Sequence, residues 1–210
     1  HRLALVGRTE STLQDTCNIA LKSNPSAEVM VIPADVGETT SAENILAAVI
    51  ERWHRLDVIV NSAGMAPLMD IGEHDFELIQ KTLEVNAIGP ADLVIKAWPY
   101  WKRQGSGCLV NISSLSSIDP FPGFLAYGMS KSALDGLTRS VHNEGSELGV
   151  RAFTLTLGAV ETQMLRAFLD EETLPRDATL EPSEVADRVL DCIEGRLDEN
   201  RGTQIQVVKG

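Results

Sequence analysis

Tyr127 and Lys131 stand four residues apart in the run Tyr127-Gly128-Met129-Ser130-Lys131, and Ser114 precedes the tyrosine by thirteen residues. A free phenol keeps its proton up to a pH near ~10, which makes it a poor base at neutrality. A fixed ammonium beside it favours the phenolate and pulls that value down. Two residues four apart on a helix share a face, so the lysine reaches the region beside the ring. A serine hydroxyl can hold a carbonyl or alcohol oxygen while the tyrosine exchanges its proton. The trio is therefore equipped to move a proton onto or off a substrate oxygen. The same spacing also suits a solvated helix face, and Ser113-Ser114 suits a turn or a helix cap.

The elements around the trio decide between these readings. Short apolar runs at Leu3–Val6, Glu28–Pro33, Asp57–Val60, Cys108–Ile112, Arg151–Leu157 and Thr203–Val208 read as strands. Longer amphipathic runs separate them: Glu10–Ser23, Ser41–His54, about Glu73–Arg103 with a break near Asn86, Leu125–Leu148 and Ser183–Glu194. Near-continuous apolar strands joined by helices predict a mainly parallel sheet covered on both faces, a three-layer α/β/α domain of the doubly wound type. In such a domain ligands sit beyond the carboxyl ends of the strands. No internal repeat or linker divides the chain, so residues 1–210 read as a single domain.

Composition narrows the function. A net charge of −12 repels phosphate backbones and anionic lipids, so neither nucleic acid nor a membrane is an expected partner. No apolar run is long enough for a membrane span, and no basic segment leads into an apolar one at the start. Cys17, Cys108 and Cys192 form no CxxC pair, which points to a reducing compartment and a cytoplasmic location. His1, His54, His74 and His142 show no metal-ligand spacing, and no metal site is expected. Cys108 opens an apolar run and reads as buried filler.

Four marks fall at strand ends in chain order: Asn61-Ser62-Ala63-Gly64; Asn86 in Val85-Asn86-Ala87-Ile88-Gly89; Ile112-Ser113-Ser114; and Tyr127 to Lys131. Together, over essentially the whole chain, they resemble the short-chain dehydrogenase/reductase family, with its Rossmann-like fold. The resemblance implies an oxidoreductase that interconverts a small-molecule carbonyl and alcohol with a nicotinamide cofactor. It implies that Tyr127 is the general acid/base, that Lys131 lowers its pKa and holds the nicotinamide ribose, that Ser114 orients the substrate oxygen, and that Asn86 keeps a water in the proton relay. It assigns cofactor contacts to Asp35, Val36, Asn61, Ala63, Gly64, Val160 and Thr162. Read without the family, Asp35 is a turn cap and Asn61 a tie between loops. Leu157 stands where the family usually has proline, which loosens the local backbone.

Arg8 follows the first strand, where NAD-specific relatives usually place an acid for the ribose 2′-hydroxyl. A carboxylate repels a 2′-phosphate and a guanidinium binds it, so NADP(H) is the expected cofactor. The family's glycine-rich turn, which holds the pyrophosphate on backbone amides, is absent from these residues. With it go the first strand and helix of the fold, and the strands ending at Arg8 and Asn61 are left to lose a partner between them. That absence also keeps a second function open: a catalytically silent relative that serves as a binding or scaffold protein. By the same resemblance two long helices, Val85–Lys102 and Leu125–Leu148, pair across a twofold axis into a homodimer or homotetramer. Trp98, Tyr100 and Trp101 on the first serve either as interface anchors or as local core. Met164, Leu165, Phe168 and Leu169 form either an apolar lid or a short helix packed on the core. Phe121 and Phe124 either line the pocket or simply pack.

Overall fold

Branched aliphatic residues in short unbroken runs make the strands, and each run hands over to an amphipathic helix. The computed structural model describes residues 2–210. The strands are β1 (Arg2–Gly7), β2 (Glu28–Pro33), β3 (Val58–Asn61), β4 (Gly107–Ser114), β5 (Val150–Leu157) and β6 (Gln204–Val207). Between them run α1 (Glu10–Ser23), α2 (Ser41–Trp53), α3 (Phe76–Leu83), α4 (Gly89–Gln104), α5 (Leu125–Gly145), the single turn α6 (Gln163–Arg166) and α7 (Pro182–Ile193). Every strand pair is parallel. The result is the expected α/β, Rossmann-like arrangement.

Successive side chains on a strand point to opposite faces, and β4 shows the consequence. Leu109 packs with Ile59, Ala152 and the inner faces of α2, α4 and α5. Its neighbours Cys108 and Val110 pack with Phe153, Leu155 and Cys192 of α7. Two apolar clusters thus sandwich the sheet, which is why its strands read as continuous rather than alternating runs. Trp101 is fully buried in the first cluster and donates its indole N–H to the Leu56 carbonyl at 3.1 Å, so it is core.

The strands fall into two groups: β1 pairs with β2, and the order β3-β4-β5-β6 makes a four-stranded sheet. Among the described residues, β1 and β3 each keep one edge without a strand partner. Both groups press on one core, for Val6 and Ile32 pack against the cluster that holds Ile59.

Helices α3 and α4 form one rod joined by a widened, π-type turn over Glu84–Ile88. This is the break expected near Asn86. Such turns arise where one extra residue is accommodated, and they recur at functional sites. Directly after it, Gly89 sits against the loop that follows β2. A β-carbon there would stand 2.1 Å from the Val36 carbonyl oxygen, so only glycine lets the two segments meet. Among the described residues, no helix is long and apolar enough to cross a membrane.

Candidate active site

Parallel strands end on one side of the sheet, and the carboxyl end of β4 meets the first turns of α5 there. Ser114 is the last residue of β4. Its backbone is extended, and its hydroxyl accepts a hydrogen bond from the Ser116 N–H at 3.1 Å, capping a tight turn over Leu115–Ser117. Tyr127 lies in the first turn of α5, half-buried. Burial pushes its phenol above the ordinary tyrosine value, and the hydrogen bond with the Ser114 hydroxyl pulls it part of the way back.

One helical turn later, Lys131 is only 4% exposed. Its ammonium donates to the Ile112 carbonyl at 2.7 Å and lies 5.7 Å from the centre of the Tyr127 ring. Burial lowers its pKa to about 8, and the charge of Asp135 raises it. For the phenol, desolvation of the ring outweighs the pull of the Ser114 hydroxyl.

Asn86 stands in the widened turn and is fully buried. Its amide donates to the Met65 carbonyl and to the Ser130 hydroxyl, each at 2.8 Å, and its oxygen accepts from the Met65 N–H at 2.8 Å. Ser130 in turn donates to the Tyr127 carbonyl at 2.7 Å. Asn86 thus ties the loop after β3 to the first turns of α5. Asn86 is the middle residue of the widened turn. Gly64 in that loop passes close to both groups: a β-carbon there would lie 3.3 Å from the Asn86 oxygen and 3.7 Å from the Lys131 nitrogen. The Lys131 ammonium makes one protein hydrogen bond among the described residues and carries three donors.

The other candidate positions are spread along the same edge of the molecule. Asn61 is buried, and its amide donates to the Asn111 oxygen at 2.8 Å. Asn111 donates to the Thr138 hydroxyl, which also accepts from Thr154 at 2.7 Å. This polar chain links β3, β4, α5 and β5, so the side chain of Asn61 ties strands together. Ala63 is exposed. Asp35 accepts from the Gly37 N–H at 2.9 Å and lies 3.5 Å from the Lys81 ammonium, the geometry of a turn cap. Val36 packs on the core cluster. Arg8 is exposed just past β1 and makes no ion pair among the described residues. Arg8, Asp35 and Val36 thus follow the β1–β2 pair and do not join the Ser114–Tyr127–Lys131 group.

After β5 the chain makes an excursion pinned at its base. Val160 bridges to Leu180, and Thr162 caps α6 by accepting from the Leu165 N–H at 3.2 Å. Arg166 pairs with Glu161 and also donates to the Leu169 and Leu174 carbonyls. From this excursion Phe168 packs edge-on against Phe124 at 5.7 Å, and Phe124 packs against the Tyr127 ring at 5.4 Å. Phe168 therefore reaches the Tyr127 ring through one intermediate ring. Ser130, Asn111, Thr138 and the Glu161–Arg166 pair are parts that sequence reasoning did not single out. Ser130 lay inside the run from Tyr127 to Lys131, and Glu161 between the expected contacts Val160 and Thr162. Burial raises the Cys108 and Cys192 thiols to about 11 and about 12, so neither is an available nucleophile.

A model of the family described as short chain dehydrogenase matches residues 1–173. An uncharacterized oxidoreductase of Staphylococcus epidermidis is 32% identical over 162 residues, covering 77% of this chain and 68% of that protein. The 2-(R)-hydroxypropyl-CoM dehydrogenase of Xanthobacter autotrophicus is 31% identical over 182 residues, covering 85% of this chain and 72% of that protein. Among solved structures, levodione reductase superposes with a TM-score of 0.92 at 24% identity, over 100% of this chain and 87% of that one.

Proposed function

The chain belongs to the short-chain dehydrogenase family, whose members are nicotinamide-dependent oxidoreductases, and on that premise we propose that it interconverts a carbonyl and an alcohol with NADP(H). One observation carries the reading: a half-buried phenol beside the Ser114 hydroxyl, with the Lys131 ammonium 5.7 Å from the centre of its ring. Tyr127 donates its proton to the substrate oxygen during reduction. Ser114 holds that oxygen and stabilises the charge that develops on it. Lys131 keeps a positive charge beside the phenol, which eases loss of its proton at the moment of transfer. Asn86 anchors the Met65 backbone and, through Ser130, the turn that carries Tyr127.

The residues fit a nicotinamide cofactor where the loop through Gly64 passes close to Lys131, whose ammonium has donors to spare. In that reading Lys131 holds the ribose, and Asn61, Ala63, Gly64, Asp35, Val36, Val160 and Thr162 border the cofactor. The bound group supplies the hydride that reduces the carbonyl carbon. Arg8 supports NADP(H) over NAD(H), because an exposed guanidinium past β1 suits a 2′-phosphate. The open edges of β1 and β3 support a further strand between them in the working enzyme, bringing the glycine-rich phosphate turn. Free thiols at all three cysteines suit a reducing cytoplasm. Exposed Ile88 and Ile95, one on each side of the start of α4, suit a homodimer or homotetramer.

The test is Tyr127→Phe, assayed for NADPH-dependent reduction across a panel of ketones. The expected outcome is loss of turnover with an unchanged circular dichroism spectrum and melting point. Retained turnover ends the mechanism.

A further inference from the structure

Helix α5 buries two opposite charges one turn apart. Lys131 is 4% exposed and Asp135 2%. Positions four apart on a helix lie on one face, about 5–6 Å between β-carbons. Burial of either charge alone is costly, and the cost is offset only where an opposite charge lies near. Among the described residues, neither makes an ion pair within 4.0 Å, with each other or with any other side chain, so their interaction acts across a longer gap in the buried interior.

Asp135 is held from the far side. Gln204 of β6 donates its amide to the Asp135 Oδ2 and lies 3.5 Å from the Ser117 hydroxyl, while the Asp135 Oδ1 is buried without a hydrogen-bond partner. A half-satisfied buried carboxylate weakens a fold, so packing gives no reason for it.

We propose that Asp135 is a positioning residue for the proton-transfer site: its carboxylate, braced by Gln204, keeps the buried Lys131 ammonium charged beside Tyr127. The proposal rests on the reading of Lys131 as the charged partner of Tyr127. The groups that face Lys131 leave Asp135 as its counter-charge. From α5 there is the neutral Tyr127 phenol, from β4 the Ile112 carbonyl, and from the segment before α4 the Asn86 amide with Gly64 beyond it. Burial draws the lysine down to about 8, and Asp135 is the charge that opposes this.

The test is a titration of the cofactor-free protein labelled with 13C at lysine Cε, the Lys131 resonance being assigned by its loss in Lys131→Arg. Removal of a negative charge disfavours the ammonium. Lys131 is therefore expected to titrate about one pH unit lower in Asp135→Asn and near the parent value in Asp135→Glu. An unchanged midpoint in folded Asp135→Asn overturns the proposal, and a purely structural Asp135 gives that result together with a lower melting point. If Asp135→Asn does not fold, the Asp135 carboxyl 13C resonance is followed in the parent. It is expected to shift through the Lys131 midpoint and to lose that step in Lys131→Met; indifference to Lys131 overturns the proposal. None of these readouts needs turnover. A shifted midpoint in a protein that reduces no ketone sustains the coupling and defeats the functional reading instead.

Discussion

Lys131 and Tyr127 have been pushed by burial in directions that suit proton donation. The lysine sits at about 8 against its ordinary 10.5, and the phenol stands above its own ordinary value. The lysine shift has a consequence for stability. Between about 8 and 10.5 the unfolded chain keeps the Lys131 proton while the folded chain sheds it, so this group makes unfolding harder as pH rises through that window. Comparison of urea unfolding of the parent with Lys131→Met isolates the effect. The difference should move by about 3 kcal/mol in the parent's favour across the window. Arg8 makes the other prediction at this scale. Arg8→Asp, in a form of the protein that binds cofactor, should raise the KM for NADPH by roughly tenfold or more and leave that for NADH nearly unchanged. Equal effects on the two cofactors remove Arg8 from the 2′-phosphate site.

The widened turn before α4 and the glycine beyond it act as one device at the level of elements. The turn carries Asn86, and Gly89 lets the backbone after β2 close against the rod. Gly89→Ala should cost roughly 2–4 kcal/mol, read as a lower urea midpoint, because the new methyl meets a backbone carbonyl that cannot swing aside. Most elements were legible beforehand, since α1 and β2 begin and end where the apolar periodicity does, and β4 and β5 run only a residue or two beyond it. The Ser114–Tyr127–Lys131 group was legible because two of its members share a helix face and the third ends the neighbouring strand. The Asn61–Asn111–Thr138–Thr154 chain was not. Its bonds span many residues, and nothing in the local run around Asn111 marks it as other than a polar interruption in a strand. Glu161 and Arg166 lie five residues apart in a polar stretch, and only the fold turns them toward each other. The net direction of the Tyr127 shift was also out of reach, because it depends on how deeply the ring is buried.

The molecule as a whole is joined unevenly. The β4–β5 ladder runs unbroken from Gly107–Val150 to Ser114–Leu157 at its centre. The β1–β2 pair meets the four-stranded sheet through side chains rather than through a ladder. A flank secured by side-chain packing can breathe without the rest coming apart. Deuterium should therefore enter the amides of Arg2–Gly7 and Glu28–Pro33 well ahead of those in Gly107–Ser114 and Val150–Leu157, as exchange followed by mass spectrometry would show. A strand laid into the seam would stitch the flank to the body and slow its uptake toward the central rate, turning two opening events into one.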